Sequence, residues 1–240
     1  MAPASPHFLS RPFGIRCTAL PDGRPARRPV ARRNRVMTSA VSEKLQRRTE
    51  RKELKREEKK AQIATSAQLV LQELGYANTS LRDIAARADL SLGSLHYYFE
   101  DRTQLILYCV RAYKTTFSER LQASIAHVSG RDAIIDAFAE SLTTSIIEDA
   151  TTHRLWYDIR VQALFDPVFR PVVEEIETML INAVDVAAVK AGVSDPALSA
   201  CGYPMIDGLF RFHMQNAISG NSLPRDRLVE EMRRALARIF

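Results

Sequence analysis

Five histidines (His7, His96, His127, His153 and His213) and three cysteines (Cys17, Cys109 and Cys201) are the softest metal ligands in this 240-residue chain. Their spacing supports no metal site, for there is no HxH, no HExxH and no CxxC pair. The phosphate-cradling glycine patterns and the GxSxG nucleophile turn are absent as well. Glu174, Glu175 and Glu177 read as the solvated face of a helix rather than as an acid–base pair. What stands out instead is a concentration of hydroxyls and aromatics closed by a guanidinium: Thr79, Ser80, Ser94, His96, Tyr97, Tyr98 and Arg102. They are donors and acceptors of hydrogen bonds, gathered within 24 residues.

Positioning them requires short helices. Ser80-Leu81-Arg82-Asp83 has the form of a capping box, a hydroxyl N-cap with a carboxylate three residues on. The helix that follows turns Leu81, Ile84, Ala85 and Ala88 inward. Asp89-Leu90-Ser91 makes a tight connection, with Ser91 placed to cap the next helix. That helix buries Leu92, Leu95 and Phe99 and leaves Gly93, Ser94 and Tyr97 pointing out near its N-terminal end. Ahead of the pair, Ile63, Ala67, Val70, Leu71 and Leu74 share one helical face, and Gly75 stands where a helix end needs positive φ. Two short helices joined by a three-residue turn form a helix-turn-helix, whose second helix enters the DNA major groove. The same geometry also occurs in proteins that never meet DNA.

The rest of the chain reads as helical. Hydrophobic residues at 46% and charged residues at 26% are ordinary for a folded protein. Nine glycines and little apolar–polar alternation argue against sheets, so the fold class is all-α. No apolar run approaches the ~18–20 residues of a membrane span. Helices are predicted at 103–127, 132–149, 153–165, 168–191, 196–219 and 225–239, with a break or kink at Gly202–Pro204 because an interior proline loses a hydrogen bond. Charge is unevenly spread. Residues 1–36 carry eight Arg against Asp22, residues 37–62 carry nine bases against five acids, and the remainder carries 17 bases against 22 acids. A polyanion met by the N-terminal end is the simplest reading, and a solvated basic tail the bland one. Six of the eleven prolines fall in residues 1–36, so a disordered Arg/Pro-rich extension is expected over 1–42, with Met37 a plausible first residue.

From Ile63 to Leu105 the sequence resembles the DNA-binding domain of the TetR family of bacterial transcriptional regulators. The resemblance rests on Ile63 and Ala67, Gly75-Tyr76, Thr79-Ser80, Asp83-Ile84-Ala85, Ser91, Gly93-Ser94-Leu95 and Tyr98-Phe99. His96, Glu100 and Arg102 depart from it, standing where Tyr, a Pro, Gly or Lys, and Lys are usual. It implies a helix-turn-helix domain over 43–102 and a helical ligand-sensing and dimerisation domain over 103–240. It also implies a cytoplasmic homodimer with no membrane partner, bound to a double-stranded DNA operator and most often a repressor released by a small-molecule effector. No cofactor or metal is implied. The DNA-facing candidates are Thr79, Ser80, Leu92, Gly93, Ser94, His96, Tyr97, Tyr98 and Arg102. Thr79, Ser80 and Arg102 are expected at phosphates, Ser94 and Tyr97 at base edges. Tyr76 is expected to pack on the first helix.

Only this resemblance turns apolar residues of the remainder into pocket candidates: Tyr113, Phe117, Phe138, Trp156, Arg160, Met179, Met205 and Phe210. Plain core is their ordinary role. Asp207-Gly208-Leu209 resembles the family's penultimate helix. With Leu228, Met232, Leu236 and Ile239 on the last helix it would form a two-fold four-helix interface, against the alternative of internal packing. Two other functions compete: an all-α ligand-binding protein or enzyme whose helix-turn-helix is structural, and a non-specific DNA binder driven by the basic tail.

Overall fold

The structure is a computed structural model that describes the backbone of residues 33–193 and 196–240 and the side chains of 43–193 and 201–240. Regular structure among these residues is helical throughout: α1 (Arg33–Asn78), α2 (Leu81–Arg87), α3 (Leu92–Tyr98), α4 (Arg102–Ile125), α5 (Arg131–Phe165), α6 (Arg170–Lys190), α7 (Pro196–Ile218) and α8 (Arg225–Ile239). A 3-10 turn, Pro167–Phe169, joins α5 to α6. The stretch up to Glu50 belongs to one unit, and Arg51–Phe240 form another. Of the extension expected over 1–42, residues 1–32 lie outside the described residues, and the chain is helical from Arg33 rather than from Glu43. Beyond Pro29 nothing in the sequence interrupts a helix until Gly75.

Within residues 51–240 the apolar side chains gather into two cores. In the smaller, Ile63, Ala64, Ala67 and Val70 of α1 meet Ile84 and Ala85 of α2, Leu95 and Phe99 at α3, and Leu105 and Cys109 of α4. The larger runs from Leu71 through α4, α5, α6 and α7 to Leu228, Met232, Leu236 and Ile239 of α8. α4 serves both: Leu105 and Cys109 point into the first core, Ile106 and Val110, one position on, into the second. A second link lies between α1 and α5, where Arg154 donates to the Gln72 carbonyl at 3.2 Å and the Gln72 amide reaches the Thr152 hydroxyl.

Three helical expectations change. The two helices predicted at 132–149 and 153–165 are one, α5, because no glycine or proline falls between Arg131 and Phe165. α7 runs through Pro204 without a break. Proline removes one ladder hydrogen bond there, but buried Tyr203, Ile206 and Phe210 hold the turn, and Gly202 lets Ile239 and Val184 approach to within 3.2 and 3.4 Å of where a Cβ would stand. The apolar face of α8 offered for a two-fold interface is instead packed inside the chain, its four residues 3% exposed or less. An amphipathic face buries against the nearest apolar surface, here α5 and its neighbours.

Candidate functional site

The helix-turn-helix is fixed by local chemistry at each joint. α1 turns at Gly75, whose φ of 75° and ψ of 173° lie outside the helical region. Ser80 caps α2 with the reciprocal box: its Oγ accepts from the Asp83 amide at 3.3 Å, and the Asp83 carboxylate accepts from the Ser80 amide at 2.9 Å. These Ser80 hydrogen bonds hold the Asp83 carboxyl below its usual range. Asp89, at φ 52°, turns the chain between α2 and α3 in a conformation that Asp tolerates better than most residues. Ser91 then caps α3, accepting from the Ser94 amide at 3.0 Å. Asp101 caps α4 through the Gln104 amide at 2.7 Å.

α3 is held by fully buried Leu95 and turns Gly93, Ser94, His96 and Tyr97 outward, with Leu92 and Tyr98 half-buried. Tyr97 is 69% exposed and makes an edge contact with Tyr98, their centroids 5.0 Å apart. From α1, Arg56 lies over the Tyr97 ring at 5.7 Å and donates to its carbonyl at 3.5 Å. His96 Nδ1 sits 3.1 Å from the Glu100 carbonyl. Ser80 is exposed at the start of α2, but Thr79 is not: it is buried, and its hydroxyl donates to the Gly75 carbonyl at 2.8 Å, turned away from any phosphate. Arg102 is folded back too. Its guanidinium stacks on Tyr76 at 4.4 Å, with Nε and Nη2 buried and unpartnered among the described residues, so it must swing off Tyr76 to meet a phosphate. Tyr76 packs edge-on against Phe169 rather than only on α1.

In the larger core an interior cavity of about 30 Å³ is bounded by α4, α5, α6 and α7. Phe117, Phe138 and Phe210 of the pocket candidates line it. The others are elsewhere. Tyr113 lines a separate groove with Ala64, Gln68 and Thr116; Trp156 is fully buried but off the cavity wall; Met179 packs half-buried on the core; Met205 is 57% exposed. Arg160, the charged member of the pocket candidates, is already paired, through Nε to Glu177 at 2.7 Å and through Nη1 to Asp207 at 2.5 Å. Asp207 also accepts from the Tyr157 hydroxyl at 2.9 Å.

The charged residue that sequence reasoning missed is Lys114. It is 2% exposed and lines the cavity. Its Nζ lies 3.1 Å from His153 Nδ1 and over the rings of Phe117 at 4.9 Å, Trp156 at 5.3 Å and Tyr113 at 5.7 Å. With its proton on Nε2, His153 accepts from Lys114 and donates to Ser145 at 2.8 Å; Ser145 meets Asp149, which Arg120 holds at 2.7 Å. Burial, with help from the Lys114 charge, drives the His153 pKa well below its ordinary value, so the ring is neutral. Burial also brings Lys114 down to about 7. A signal for it was present: Val110, Phe117, Ser118 and Leu121 stand at helical spacing around it, putting a lysine on the buried face of α4.

Comparison with known proteins bears on the segment that holds the first of these sites. Residues 63–109 match the family described as bacterial regulatory proteins, tetR family. The HTH-type transcriptional regulator PksA of Bacillus subtilis is 21% identical over 176 residues, covering 71% of this chain and 85% of PksA. Among solved structures, the multidrug binding protein EbrR complexed with imidazole is 25% identical, with a TM-score of 0.53 over 75% of this chain and 94% of EbrR. The transcriptional regulator FadR of Bacillus subtilis, in complex with stearoyl-CoA, is 17% identical, with a TM-score of 0.58 over 75% of this chain and 96% of FadR.

Proposed function

The chain belongs to the TetR family of bacterial transcriptional regulators, and from that premise we propose that it works as a homodimeric, cytoplasmic repressor that leaves its operator when a small molecule binds among α4–α7. The observation that carries the reading is the presentation of α3. A helix capped by Ser91 and anchored by Leu95 holds Ser94, His96 and Tyr97 in solvent, where base edges of a major groove would meet them. Ser80 is exposed at the start of α2, and its amide and hydroxyl, both held by Asp83, would have to exchange that carboxylate for a phosphate. The likeness to EbrR and FadR, each solved with a small molecule, supports a small-molecule effector. For the second copy, the supporting feature is a solvent-facing stripe on α7: Met205 and Phe212, each 57% exposed, with Gly208 open between them. A two-fold reader needs a two-fold site. We assign the chain no enzymatic turnover, no cofactor and no membrane partner; no helix among the described residues is long and apolar enough to cross a membrane.

The test is a fluorescence-anisotropy titration of the full chain against the duplex upstream of its own gene and a scrambled duplex, at two salt concentrations. Sequence preference is expected, and Ser94→Ala and Tyr97→Ala should each reduce it by about 1–3 kcal/mol while leaving the melting temperature unchanged. Equal affinity for every duplex, including those from a random-sequence selection, would overturn the reading.

A further inference from the structure

A lysine enclosed by apolar side chains is an expensive thing to keep, since burial opposes its charge unless an anion answers it. Lys114 has no carboxylate at ion-pair distance among the described residues. Asp207 faces the same cavity, but Tyr157 holds its Oδ1 and Arg160 its Oδ2. Glu177 of α6 is held by Arg160 as well. From α5, the neutral His153 ring offers Lys114 an uncharged acceptor, Nδ1, and no anion. That leaves the ammonium with one neutral hydrogen-bond partner and three aromatic faces. Tyr203 of α7 lines the same cavity; it is 7% exposed, and its hydroxyl has no hydrogen-bond partner among the described residues. Two donors of this kind, one of them charged, suit the two oxygens of a carboxylate. The rest of the wall, Leu121, Leu142, Leu180 and Val184 among it, suits hydrocarbon.

We propose that Lys114, assisted by Tyr203, is the anchor for the carboxylate of an apolar organic acid, and that acids of this class are the effectors. The proposal rests on the reading that α4–α7 hold the effector site. At about 30 Å³ the cavity has room for one or two water-sized groups, so an organic acid enters only as the surrounding helices move apart. An acid anchored there therefore favours the expanded arrangement over the one described here, which is the differential affinity that any effector needs. The helices it moves are the ones that reach the DNA-facing part. α4 carries Lys114 and also Leu105 and Cys109 of the smaller core; α5 carries His153 between Thr152 and Arg154, which grip Gln72 of α1.

Trp156, the single tryptophan, lies 5.3 Å from Lys114 Nζ and reports on the site by its own fluorescence. The full chain would be titrated with hexanoate, decanoate and 2-naphthoate, each against the alcohol of the same skeleton, at pH 6.5. At least one acid is expected to bind tenfold or more tightly than its alcohol. Lys114→Met and Lys114→Gln, checked for folding by circular dichroism, should bring that acid down to the affinity of the alcohol. No preference for acid over alcohol in any pair, or a preference that survives both substitutions, overturns the proposal. DNA affinity, read by anisotropy on the same samples, tests the regulator reading separately. An acid that binds through Lys114 without loosening DNA sustains the anchor and sinks effector-driven release. Release by alcohols and acids alike, indifferent to Lys114, does the reverse.

Discussion

At the scale of single residues, the cost of Lys114 has a sign and a pH window. Burial lowers its pKa from 10.5 to about 7, with Asp207 pulling the value up and Arg160 pushing it down. The unfolded chain keeps this proton up to about pH 10.5, whereas the folded chain releases it near 7. Between those values the unfolded state binds more protons, so stability against unfolding rises with pH. Below about pH 7 the cost is complete, and a shift of this size corresponds to several kcal/mol at about 1.4 kcal/mol per unit. Lys114→Met keeps the length of the side chain without its charge. In urea unfolding the variant is expected to be more stable than wild type at pH 6, with the gap narrowing at pH 8 and closing only as the pH passes about 10.5. A difference that stays constant across this range would mean the ammonium is not desolvated in the folded protein.

Among elements, the joint between α1 and α2 is the most exacting. Gly75 combines φ 75° with ψ 173°, a region that only glycine enters readily. A Cβ there would meet nothing nearer than Arg154 Nη2 at 3.9 Å, so any penalty for Gly75→Ala comes from the backbone alone. The loss should be about 1–3 kcal/mol in a denaturant titration. Gly75→Asn should not recover it, because asparagine eases the left-handed helical region and not this one. Equal stability of Gly75→Ala and wild type would show that α1 ends differently in solution. This joint was legible in the sequence, as were the Ser80–Asp83 box and the Ser91 cap, because each depends on residues within four positions of one another. α5 was misread as two helices for a related reason: the gap predicted at Ala150, Thr151 and Thr152 held polar hydroxyls whose partners on other helices are unknown to the sequence. Thr152 in fact meets Gln72, and His153 meets Lys114. The face of α8 was legible as apolar, but its periodicity could not say whether a second copy or the chain's own α5 covers it. Phe117, Phe138 and Phe210 share one cavity wall, whereas Arg160 drew attention because two carboxylates far along the chain, Glu177 and Asp207, were not yet known to hold it.

Over the whole molecule, the distribution of charge sets a problem that the DNA-facing helices do not solve alone. Residues 63–102 contain three bases and five acids. Of the bases, Arg87 is paired with Glu73 at 3.3 Å and Arg102 is folded onto Tyr76, leaving Arg82 exposed beside the α2 cap. Attraction to a phosphate backbone must then be supplied from elsewhere, and residues 37–62, with nine bases against five acids, are the richest source next in sequence. Arg47, Arg48, Arg51 and Lys52 are all exposed. If they meet phosphates, each pairing displaces counterions and contributes to binding without regard to sequence. Changing the four together to glutamine should therefore weaken binding to the operator and to a scrambled duplex by the same factor. The preference between them would be untouched, because α3 is unaltered. A plot of log affinity against log salt should become shallower by roughly 0.9 for every phosphate that is no longer neutralised. Ser94→Ala and Tyr97→Ala should do the opposite, lowering the preference at an unchanged slope. Should the four-fold variant keep the wild-type slope, this basic stretch is solvated surface, and the exposed Arg82 together with an Arg102 released from Tyr76 must hold the phosphates instead.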